Sequence, residues 1–150
     1  MRSTSTLHTV RWAARLLTMA LVAGLLSGCM HSMRAPEDLD YSRTRTSEGG
    51  IYRGTIRPQG DTIPQGRLHS WTLHLETSVG QSVDVATVDV GGGMPQHRHG
   101  LPTRPRVTRQ LGNGDHVVEG MKFNMGGWWV VTFRVRSDAG SDSLVFNVQL

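Results

Sequence analysis

Cysteine is almost absent from this 150-residue chain, Cys29 being the only one. That excludes a disulfide framework within one molecule and any zinc cage built from several thiolates. Aromatic residues are scarce, at 6%, so the Val, Leu and Ile of the second half must supply much of a core. No nucleophile elbow, phosphate loop or paired-carboxylate motif is present. Ser, His and Asp occur, but nothing in their spacing draws them together. The chain is expected not to be an enzyme. Its length suits one modest domain.

An excess of one charge is also missing once the first 28 residues are set aside. The whole chain carries 16 Lys and Arg against 12 Asp and Glu. Arg2, Arg11 and Arg15 fall in residues 1–28, which hold no acid; without them 13 basic residues face 12 acidic ones. A nearly neutral remainder gives no electrostatic footprint for nucleic acid, and that class is dropped.

Residues 1–28 have the form of an export signal: a basic start, an apolar run from Leu16 to Leu26, then Ser27 and Gly28. The run is too short to span a bilayer, which takes about 20 apolar residues. Leu26-Ser27-Gly28-Cys29 resembles a bacterial lipobox, with the lone Cys at the position that would be acylated. Met30 rather than Asp follows, which by the same resemblance implies an outer-membrane lipoprotein facing the periplasm. Buried acyl methylenes would anchor it at about 0.8 kcal/mol each. Residues 29–50 are polar and end in Gly49-Gly50, the composition of a flexible tether. The domain is then expected over 51–150.

That region alternates with period two. Trp71, Leu73 and Leu75 form one face, as do Trp129, Val131, Phe133 and Val135, and again Leu144, Phe146, Val148 and Leu150. Weaker strands are predicted at 51–57, 105–111 and 115–123. Val83 and Val85 are out of phase with Val88 and Val90, which predicts a bulge near Ala86-Thr87. Turns are read at 58–61, 91–93, 112–115, 126–127 and 138–140. The fold class is all-β, an immunoglobulin-like antiparallel β-sandwich of about seven strands.

Chemistry concentrates in Met94-Pro95-Gln96-His97-Arg98-His99-Gly100-Leu101-Pro102. In an extended loop His97 and His99 would lie on one side, about 6.5–7 Å apart along the backbone. Met94 adds a thioether, and Met125 offers another near a later turn. Imidazole and thioether without thiolate or acid suit copper better than zinc or magnesium. Met121 reads as core, His116 as a surface residue, and His69 and His74 as half-exposed strand residues. Arg98, Arg104, Arg106 and Arg109 form a basic run that could instead dock an acidic partner or a small anion.

The sequence Met94-Pro-x-His97-x-His99-Gly-Leu-Pro-Thr103, with Val118-Glu119-Gly-Met121-Lys-Phe123-Asn-Met125 and Gly127-Trp128-Trp129, resembles the YtkA-like (FixH-related) domains of bacterial envelope proteins over roughly residues 80–150. The resemblance implies an immunoglobulin-like β-sandwich in the envelope, linked to copper handling or cytochrome oxidase assembly. A lipid anchor stands here where FixH has a transmembrane helix. The expected function is a lipid-anchored copper-buffering or copper-delivery module, with the membrane and an envelope protein or metal acceptor as partners. The alternative is a metal-free structural or interaction sandwich using the 98–109 arginines.

Overall fold

A computed structural model describes residues 35–150; the expected signal segment, Cys29 and the first part of the tether lie outside the described residues. The alternating segments form antiparallel strands: β1 (Thr44–Thr46), β2 (Tyr52–Pro58), β3 (His69–Thr77), β4 (Thr87–Met94), β5 (His99–Gly100), β6 (Arg106–Gly112), β7 (Asp115–Met121), β8 (Trp128–Ser137) and β9 (Gly140–Gln149). The all-β reading therefore holds, with nine strands where the pattern predicts about seven. The two additions, β1 and β5, are three and two residues long, too short to leave an alternating signature.

The strands follow the order β1-β2-β3-β7-β6-β4-β8-β9, with β5 pairing β4. At its middle this path narrows to the single pair Asp89↔Arg106 between β4 and β6. Its two ends meet again where β1 and β2 lie against β9, so the sheet wraps around one core. Into that core point Tyr52 and Ile56 of β2, Trp71, Leu73 and Leu75 of β3, Trp129, Val131, Phe133 and Val135 of β8, and Leu144, Phe146 and Val148 of β9. These are the alternate positions of their strands, so one face buries hydrocarbon while the other meets water. Phe133 and Phe146 sit edge to face at 5.7 Å, a favoured aromatic geometry.

Asp142 of β9 fastens the closure. Its carboxylate accepts hydrogen bonds from the Ser47 hydroxyl at 2.6 Å and from the backbone amides of Gly49 at 3.0 Å, Ile51 at 3.2 Å and Ser143 at 2.8 Å. Burial alone would raise its pKa. The bonds from Ser47, Gly49, Ser143 and Ile51 outweigh that and bring it from 3.8 down to about 2. The Glu48 amide also donates to the Ser143 carbonyl at 2.9 Å.

Four expectations need correction. The 44–50 part of the supposed tether belongs to the fold, since β1 pairs β2 and Ser47 is buried. No bulge explains the valine phase change: residues 83–86 form a connection outside the strands, with Val83 buried and Val85 exposed. Gly91-Gly92-Gly93 is not a turn but the continuation of β4, paired with Thr132, Val131 and Val130 of β8. His116 is not on the surface. It is fully buried, with Nε2–H donating to the Val83 carbonyl at 2.7 Å, and so pins the 83–86 connection.

Candidate functional site

The glycines of β4 create the site's scaffold. A Cβ on Gly93 would lie 2.4 Å from the His99 carbonyl oxygen. Only a residue without a side chain lets the chain fold back this closely after Met94. The reversal uses a single 3₁₀ turn, Pro95–His97, whose first position Pro95 suits because it needs no N–H there. Arg98 then adopts the left-handed conformation at φ 54°, and β5 returns along β4 with Met94 directly opposite His99. The loop is thus tightly turned rather than extended. The two imidazoles still meet, stacked with ring centroids 6.0 Å apart and planes 27° apart.

His97 is exposed, whereas His99 is half-buried and packs its ring 5.4 Å from the Trp129 indole. The Nδ1 of His99 lies 3.0 Å from the Gly100 carbonyl oxygen. A carbonyl only accepts, so Nδ1 carries a proton, and in the neutral imidazole the lone pair then sits on Nε2. That Nε2 is enclosed and has no hydrogen-bond partner among the described residues. A ring held by Nδ1–H to a backbone carbonyl, with a bare Nε2, is how proteins present imidazole to a metal.

Met94 is buried beside His99 and its methyl abuts Gly127: a Cβ there would come within 2.5 Å of Met94 Cε. Gly127 belongs to the turn before β8, where Met125 accepts the Trp129 indole N–H at its carbonyl, 3.1 Å away. The structure therefore pairs Met94 with His99 across β4 and β5, sets His97 beside His99, and brings the turn that carries Met125 up against Met94, whose side chain is part of the buried core. Met121 is core, as its parity predicts. Among the described residues no group of three or more His, Cys, Asp or Glu side chains is arranged to hold a metal ion, so any site here depends on thioether with imidazole.

The arginine run is less of a patch than its sequence suggests. Register places Arg106 between Asp89 of β4 and Glu119 of β7, and Arg109 pairs with Glu119 at 3.7 Å. Arg98 and Arg104 are exposed and make no ion pair among the described residues.

The alternation reads His69 as a half-exposed strand residue, and it is one, at the start of β3. Its Nδ1 lies 3.1 Å from the Arg67 carbonyl oxygen, and its Nε2 is enclosed without a partner among the described residues, the same arrangement as in His99. Nothing in the local sequence marks it as a ligand, because the feature arises from a carbonyl two residues back, from Trp71 on its own strand and from Phe123 in the segment after β7.

A family model described as YtkA-like matches residues 55–134. The chain belongs to the YtkA-like family. The matched span begins within β2 and ends within β8, so it takes in β3 to β7 and the whole Met94–His99 reversal. The comparison with curated proteins and that with solved structures returned no match.

Proposed function

We propose that this YtkA-like protein is a non-catalytic envelope module that holds copper and passes it on. The observation that carries the reading is the His99 ring, with its tautomer set by Gly100, its Nε2 enclosed and unpartnered, and Met94 across the strand pair. Leaving a buried polar atom unpaired costs about 1–3 kcal/mol, which a bound cation would recover. Met94, His97 and His99 would hold the ion, with Met125 joining from the adjoining turn. Soft thioethers favour Cu(I), and imidazoles also accept Cu(II). No carboxylate belongs to the set, which weighs against a hydrolytic zinc centre. The bound ion would supply a soft Lewis-acidic centre; the chain supplies a fixed tautomer, partial burial and a pre-folded loop.

Acylation at Cys29 would keep the domain at the outer membrane, within reach of a periplasmic metal acceptor. Docking through Arg98, Arg104, Arg106 and Arg109 has weaker support, because acidic neighbours face Arg106. To test the copper reading, full-length protein in detergent is titrated with Cu(I) against a coloured chelator. His97→Ala/His99→Ala is expected to lose a tight equivalent while its unfolding midpoint stays near that of the parent. Undiminished affinity in the double variant overturns the assignment.

A further inference from the structure

The two enclosed, partnerless Nε2 atoms of His99 and His69 share more than their tautomer. Each histidine stands directly opposite a methionine on a neighbouring antiparallel strand: His99 faces Met94, and His69 faces Met121. Side chains so paired lie on one face with Cβ atoms about 4.5–5.5 Å apart. The second pair exists because β7 bulges at Gly120, where φ is 85°, which lets both Val118 and Met121 turn inward. The loop after His99 is tied to that bulge, since the Thr103 hydroxyl donates to the Gly120 carbonyl at 2.6 Å.

Between the two histidines runs a ladder of rings. His99 packs on Trp129 at 5.4 Å, Trp129 on Phe123 at 5.2 Å, and Phe123 on His69 at 5.7 Å. The imidazoles occupy opposite ends of this ladder and form no three-histidine cluster. We propose that His69 and Met121 constitute a second soft-cation half-site, so that the protein takes up two monovalent coinage-metal ions, one at each end of the Trp129–Phe123 pair. This rests on the copper reading above and extends it. One imidazole nitrogen and one thioether match the low coordination number that soft monovalent ions accept, and the indole and phenyl faces exclude competing water. The indole N–H of Trp71 likewise has no partner among the described residues, and its ring lies 6.2 Å from that of His69.

The test uses full-length protein with ¹⁵N-labelled histidine and Ag(I) as a redox-inert probe, read by long-range ¹H–¹⁵N correlation. Two equivalents are expected to bind, with the Nε2 signals of His99 and His69 shifting in separate steps. His69→Gln removes one equivalent and leaves the His99 shift intact. Met121→Leu, which preserves volume and core packing, abolishes the His69 step on a folded protein. A His69 signal unmoved by silver while His99 shifts overturns the second site and leaves the first standing. Both signals moving together at one equivalent also overturns it, in favour of a shared ion. Silence at both rings overturns the two readings together.

Discussion

Asp142→Asn isolates the clamp that closes the sheet. The asparagine keeps one carbonyl acceptor but presents an NH₂ where the carboxylate accepts from Ser47, Gly49 and Ile51. The folded-state pKa is about 2 against 3.8 for the free group. Taken in full, that separation corresponds to roughly 2 kcal/mol. The carboxylate is partly exposed, and screening by solvent reduces this to roughly 1 kcal/mol. A depressed carboxyl contributes its stability above its unfolded pKa and loses it as pH falls from about 3.8 through about 2. Urea unfolding of parent and variant should therefore differ by about 1 kcal/mol at pH 6, and the difference should shrink by about half or more at pH 2. A difference that is absent at pH 6, or unchanged at pH 2, would refute the clamp.

Other substitutions probe the site and the fold. Gly93→Ala drives a methyl against the His99 carbonyl at 2.4 Å; it is expected to lift β5 from β4 and weaken Cu(I) binding, measured by chelator competition, more than it lowers the unfolding midpoint. His116→Ala deletes a fully buried ring and its 2.7 Å bond to Val83, and should cost about 2–4 kcal/mol in urea unfolding. For the proposed acylation, Cys29→Ser is expected to abolish incorporation of a labelled fatty acid and shift the protein from the membrane to the soluble envelope fraction, with Cu(I) affinity equal to that of the parent.

Strands with one clean buried face, such as Trp71-x-Leu73-x-Leu75 and the Trp129 to Val135 series, could be read from alternation because burial itself imposes the period. Glycine misled at 91–93, since it signals a turn by flexibility, whereas here the missing side chain serves close approach of β5 within a strand. The Val83–Val90 phase change has the signature of a bulge, but a loop pinned by His116 produces the same pattern. Met94, His97 and His99 were visible as a motif because they are close in sequence. His69 was not, because its pairing with Met121 depends on strand register and on a bulge at Gly120, and neither is encoded within its own segment.

The Met94–His99 reversal is proposed to be a mixed nitrogen and sulfur site. X-ray absorption fine structure of full-length protein loaded with less than one equivalent of Cu(I) tests it most directly. The expected shell contains both imidazole nitrogen and thioether sulfur, with the sulfur scattering reduced in Met94→Leu and the nitrogen scattering reduced in His99→Ala. A shell of nitrogen and oxygen alone, unchanged by either substitution, would contradict it.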